Sequence, residues 1–125
     1  MNRGRQNNRA KGNLGEDLAA KALLGDGYEI IARNYQKRYG EIDIIAQKEQ
    51  CLYFVEVKTR KSGEYGTPLE SITPTKRQKI YRVAQNYLIE HPSDMDIGFL
   101  AVGILLLKNQ QPKIEIIEDP FLEFA

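Results

Sequence analysis

Apolar residues recur along this chain with two different periods, and each change of period marks an element. Leu14, Leu18, Ala19, Ala22 and Leu23 fall on one stripe of helical spacing. Asn13 is a good N-cap and Glu16 can reach back to its amide, so the pattern predicts a helix from Asn13 to the breakers Gly25 and Gly27. Residues 1–11, rich in Asn, Arg, Gln and Gly, show no period and read as a flexible basic tail. Period-two and strand-forming stretches follow at 28–35, 40–46 and 51–60, the last two joined by polar residues 47–50 as an antiparallel hairpin. Residues 61–73, with Gly63, Gly66 and Pro68, read as a loop holding at most one short turn begun by Thr67 and Pro68.

The helical period returns near Thr73, with Pro74 suited to the first helical position, and it stops before His91 and Pro92. Ile80, Val83, Ala84, Tyr87 and Leu88 make the apolar stripe of that second helix. Residues 97–107 are almost continuously apolar, as in a strand covered on both faces, and residues 114–117 form a last strand. The order is α-β-β-β-α-β-β, which places the chain in the α/β (mixed α+β) class with a mixed sheet flanked by helices. The 125 residues suffice for one domain, taken here as 12–125 behind the tail.

Composition narrows this picture. With 42% hydrophobic and 28% charged residues the chain can build a core without staples, and the single Cys51 allows no internal disulfide. The longest apolar run is about half of the ~20 residues that a membrane helix needs, and no signal peptide is visible, so a cytoplasmic protein without a membrane partner is expected. The net charge of +1 conceals a distribution. Residues 1–12 carry four cations and no acid, leaving the remainder at −3, yet residues 58–82 sum to +5. A basic tail and basic middle around an acidic body suit a polyanion, although a solvated helix face has the same composition. In the second helix Lys76, Arg77, Lys79 and Arg82 crowd the first half, where cations oppose the helix dipole at a cost of a few tenths of a kcal/mol each.

Strand parity supplies the candidate chemistry. Glu56 and Lys58 point the same way from one strand, while Glu41 and Asp43 share a face of its neighbour. With a four-residue turn Asp43 opposes Phe54 and lies diagonal to Glu56, and a slip of two residues keeps all four charged groups on one face. Two carboxylates ~7 Å apart repel by about 2 kcal/mol at an effective dielectric of ~20, which a divalent cation with a taste for hard oxygen, magnesium or manganese, would relieve. Lys58 could orient a water or meet charge developing on a phosphate, and Glu16, at the edge of its stripe, could complete the shell. A solvated strand face with Lys58 paired to an acid fits the same residues.

The segments Gly15-Glu16, Gly40-Glu41-Ile42-Asp43 and Phe54-Val55-Glu56-Val57-Lys58-Thr59-Arg60, with the Gly66-Thr67-Pro68 loop before a lysine-bearing helix, resemble the YraN family of small bacterial proteins. That family is similar to the PD-(D/E)xK, restriction-endonuclease-like superfamily that includes archaeal Holliday-junction resolvases. The resemblance implies a restriction-endonuclease-like core and a metal-dependent endonuclease acting on DNA ahead of RNA, on branched or structured DNA in particular. It implies that Asp43 and Glu56 bind Mg2+ or Mn2+ with the carbonyl of Val57, that Lys58 assists the water, and that Glu16 is the helical acid. Arg60, Lys61, Lys76, Arg77, Lys79 and Arg82 would hold the nucleic-acid backbone. Related resolvases are dimers, which makes a homodimer the oligomer to test. The alternative is a nucleic-acid-binding protein that keeps the fold and does not cleave. The chain departs from the family pattern at Gly98-Phe99-Leu100, where Arg-Phe-Asp is usual, and at Asp119-Pro120-Phe121, where Asn-Ala-Phe is usual.

His91 has no partner at ligand spacing and reads as a surface or capping residue, and Cys51 as a core or edge thiol. Tyr35 and Tyr39 alternate with Arg33, Lys37 and Arg38, an arrangement open to base stacking and equally to packing at a strand end.

Overall fold

A computed structural model of the chain describes residues 3–61 and 72–118, with side chains of the first helix from Leu14 onward. The tail's side chains, the 62–71 loop with its Thr67-Pro68 turn, and Asp119-Pro120-Phe121 lie outside the described residues. Two helices and five strands follow the expected order: α1 (Arg3–Gly25), β1 (Glu29–Lys37), β2 (Gly40–Lys48), β3 (Cys51–Lys61), α2 (Pro74–Glu90), β4 (Asp96–Leu106) and β5 (Lys113–Glu118). The strands lie side by side as β1-β2-β3-β4-β5. Every neighbouring pair is antiparallel except β3–β4, which is parallel, so the sheet is mixed. A parallel neighbour cannot be reached by a tight turn, and α2 lies on the crossover that makes it possible.

Side-chain alternation divides the core between the two faces of the sheet. Ala19, Ala20 and Leu23 of α1 pack against Ile44, Val55, Leu100 and Val102. Val83, Ala84 and Tyr87 of α2 pack against Ile45, Leu52 and Phe54 on the opposite face. β4 is buried from Leu100 through Ile104, as a strand covered on both sides must be. Leu100, standing where the resembled family carries Asp, is wholly enclosed in the α1 layer, so an apolar side chain is what that site now requires. Gly15 lets α1 approach β3 closely: a Cβ there would stand 2.3 Å from Thr59 Oγ1.

Three expectations need correction. α1 begins at Arg3 rather than Asn13, because Arg, Gln, Ala and Lys upstream are adequate helix formers and the helix does not stop to be capped. The β2–β3 turn has two residues, not four: Lys48 pairs with Cys51, leaving Glu49 and Gln50 at the tip, with Glu49 in the left-handed region at φ 55°. The register therefore slips by two, placing Ala46 against Tyr53 and Ile44 against Val55. Strict alternation also fails at the start of β2, where Ile42 packs in the same α2-side cluster as Ile45. β2 pairs with β1 there and its β3 ladder has ended, so the strand is free to rotate out of the pleat.

α2 starts as its sequence requires. The Thr73 hydroxyl accepts from Lys76 N–H at 3.2 Å, Pro74 occupies the first turn, and the His91 N–H closes the far end on the Tyr87 carbonyl at 2.7 Å. The backbone of His91 thus caps the helix and its ring lies against Tyr87.

Candidate active site at the fork of two strands

The site is built where β2 and β3 separate. Their last ladder pair is Ile44 with Val55, and the next residues along each strand are Asp43 and Glu56. Beyond the fork the Asp43 side chain takes over a backbone role: its Oδ2 accepts from the Val57 N–H at 2.7 Å. This bond fixes the carboxylate against β3. Glu56 is the one charged residue among the buried side chains described, 6% exposed. Asp43 and Glu56 open into a cleft of about 120 Å³, lined also by Gly40, Glu41, Lys76, Lys79 and Ile80.

Charge inside this cleft is unevenly compensated. Burial, and after it the Glu56 carboxylate, push Asp43 up from its ordinary 3.8 to about 8, against the lowering effect of the Val57 bond. Glu56 is met on one oxygen by two ammonium groups, Lys76 Nζ at 2.7 Å and Lys58 Nζ at 3.4 Å from Oε1. Burial, followed by the neighbouring Lys76, lowers Lys58. Burial is the largest single influence on Lys76 and lowers it, but its hydrogen bonds to Glu56 and Lys58 together with the Glu56 and Asp43 charges outweigh that and raise it.

Glu16 approaches from α1. Its carboxylate is raised by burial, which the Arg33 guanidinium opposes, and its charge adds to the upward push on Asp43. Oε1 of Glu16 is buried without a hydrogen-bond partner and has Arg33 Nη2 at 3.9 Å. Among the described residues no three His, Cys, Asp or Glu side chains converge closely enough to hold a metal ion by themselves. The donor set nevertheless fits one. Asp43 and Glu56 are hard oxygen donors whose mutual repulsion a dication would remove, and a backbone carbonyl and water are ordinary further ligands for magnesium.

The structure thus gathers Asp43, Glu56 and Lys58 as strand parity indicated, with Glu41 on the cleft wall, while Glu16 lies against Arg33 and is near enough for its charge to act on Asp43. The basic set divides. Lys61 is exposed at the end of β3, and Arg60 and Arg77 are half-buried. Lys79 is exposed on the cleft wall, and Arg82 lays its guanidinium 4.1 Å from the Tyr39 ring centroid. Lys76 turns inward to Glu56, a placement its position in a run of cations gave no means of foreseeing. Tyr35 is taken up in packing: its ring meets Tyr87 edge-on at 5.1 Å and its hydroxyl donates to Glu90. Cys51 is a half-buried free thiol at the opposite end of the sheet. Among the described residues no helix is long and apolar enough to cross a membrane.

Comparison with known proteins finds relatives over most of the chain. Residues 15–116 match the family described as "Uncharacterised protein family UPF0102". A UPF0102 protein of Rhodococcus opacus (strain B4) is 44% identical over 115 residues, covering 91% of this chain and 98% of the relative. One from Chlorobium limicola (strain DSM 245 / NBRC 103803 / 6330) is 54% identical over 95 residues, 75% of this chain and 74% of its own. Another, from Prosthecochloris aestuarii (strain DSM 271 / SK 413), is 48% identical across 75% of both chains.

Proposed function

The chain belongs to the UPF0102 family, the YraN family its motifs resemble, and from that premise we propose that it is a metal-dependent endonuclease hydrolysing phosphodiester bonds in DNA. One observation carries the reading: Asp43 and Glu56 are brought to the same buried fork of the sheet, with the Lys58 ammonium beside Glu56. A purely binding surface gains nothing from acids that face a polyanion, and a purely structural one gains nothing from a carboxylate pushed as far up as Asp43.

In this mechanism Asp43 and Glu56 would hold Mg2+ or Mn2+, with the Val57 carbonyl as a further ligand. The ion, when bound, supplies positive charge against the phosphate and makes water a better nucleophile at neutral pH. Asp43 is oriented for this by the Val57 N–H. Lys58, held beside Glu56, would donate to the charge that develops on the phosphate or position the water that attacks. Ile44 and Val55, buried in the α1 layer, and Ile42, buried in the α2 layer, flank these groups in sequence and hold them on strands rather than on loops. Lys61, Lys79 and Arg82 provide exposed cations for the sugar–phosphate backbone, at the edge of the cleft and along α2. Branched or structured DNA is the proposed substrate, in the cytoplasm, with a single folded domain doing the work and a homodimer as the oligomer to test.

A non-cleaving DNA-binding protein on the same fold is the second reading, and it too has a specific observation in its favour: Lys76 already neutralises Glu56. Linear, flapped and four-way DNA incubated with Mg2+ or Mn2+ decides between them. Products from the parent and none from Glu56→Ala support the enzyme. Salt-sensitive binding with no products in either metal supports the second reading.

A further inference from the structure

Lys76 sits where stability alone would not put it. It lies in the first turn of α2, which contains no acid, and a cation there opposes the helix dipole. Its backbone is fixed, since its N–H donates to Thr73 Oγ1, but its side chain runs into the cleft to reach Glu56. The two partners differ in freedom. The Lys76 side chain is 36% exposed and has water to withdraw into, whereas that of Glu56 is 7% exposed and has none. Lys58 and Lys76 approach the same oxygen, so Glu56 keeps one compensating ammonium if the other leaves. An ammonium 2.7 Å from a carboxylate oxygen competes with any other cation for that carboxylate's charge.

From this geometry we infer that Lys76 is a displaceable counter-cation: it holds the charge of Glu56 in the free protein and is drawn off by a nucleic-acid phosphate, so that ion loading and nucleic-acid binding are coupled. The inference rests on the metal-dependent nuclease reading and adds a control to it. The physical basis is competition. Lys76 takes up charge and a lone pair of the Glu56 carboxylate that a dication would otherwise use, and a phosphate at the mouth of the cleft offers Lys76 another anion. Linkage makes the effect reciprocal, so DNA tightens ion binding by the same factor as the ion tightens DNA binding. The free protein is then poorly loaded, and the competent site is completed on the substrate. Lys79 lines the same cleft and serves as the control for charge alone.

Mn2+ affinity, read by electron paramagnetic resonance of the free ion, tests this on the full chain. The proteins are the parent, Lys76→Gln, Lys76→Arg and Lys79→Gln, each with and without phosphorothioate duplex DNA. Without DNA, Lys76→Gln is expected to bind Mn2+ about tenfold more tightly than the parent, a typical coupling factor. Lys76→Arg should bind like the parent, and Lys79→Gln should gain much less than Lys76→Gln. DNA should tighten Mn2+ binding by about tenfold in the parent and little in Lys76→Gln. Equal affinities for Lys76→Gln and the parent, or equal gains in Lys76→Gln and Lys79→Gln, overturn the inference and leave the nuclease reading standing. Absence of Mn2+ binding in every protein, with and without DNA, overturns both.

Discussion

At the scale of single residues, Asp43 is held in a state that opposes folding. Unfolded, its carboxyl ionises near 3.8, and folded it keeps its proton to about 8. Between those limits the native state binds more protons, so Asp43 lowers stability as pH rises across that window. Asp43→Asn removes the charge but can still accept from the Val57 N–H. Without metal it is expected to be more stable than the parent by about 1–2 kcal/mol near pH 8. Melting temperatures measured from pH 4 to 8 should fall less steeply for the variant, and a parallel decline contradicts this account. The same substitution should abolish metal-dependent cleavage. Lys58→Ala is expected to lower turnover by about 10²–10³-fold while DNA affinity stays near that of the parent, as single-turnover kinetics and titration would show. Loss of affinity with unchanged turnover would instead make Lys58 a binding residue.

Elements determine whether those residues meet. The parity of β2 and β3 was legible, because Phe-Val-Glu-Val-Lys alternates cleanly and the Asp lies one short hairpin away. The register was not. Gln47 and Lys48 are polar and look like turn residues, yet both continue β2, paired to Leu52 and Cys51, with only part of each side chain exposed. That difference moves Asp43 from a diagonal position to the pair that follows Ile44 and Val55, which is closer to Glu56 than the sequence suggested. The inward turn of Lys76 was also hidden, since it depends on where a crossover helix lands. Two substitutions probe these elements. Gly98→Ala on β4 would bring a Cβ within 2.6 Å of the Tyr53 ring, itself packed edge-on against Tyr28. It is expected to cost about 1–3 kcal/mol in denaturant unfolding, and less in a Tyr53→Val background where the ring is gone. Thr73→Ala removes the α2 cap and should cost about 1 kcal/mol by the same measurement.

Across the whole molecule, a net charge of +1 hides a polar separation that the fold turns to use. Asp43 and Glu56 are drawn into the sheet's fork, while Lys61, Lys79 and Arg82 are left facing water. Sequence showed that the cations cluster, though not which of them stay outside, because that depends on which face of α2 the sheet covers. If the outward set contacts phosphates, the slope of log affinity for duplex DNA against log salt should shrink by about 0.9 for each cation removed. Lys79→Gln combined with Arg82→Gln therefore lowers it by about 1.8. A slope unchanged in the double variant would show that the backbone passes elsewhere.

The parallel pairing of β3 with β4 has a consequence for the newborn chain. The hairpin of β2 and β3 zips through a two-residue tip, whereas β4 must first travel back along the sheet by way of α2. If the local hairpin closes first, as its short loop favours, Asp43 and Glu56 approach each other before Lys76 arrives, and for that interval the two acids confront each other with water alone to soften the encounter. In that case dissolved ions screen the pair until the helix docks, and added salt should speed the closing of this hairpin in stopped-flow refolding.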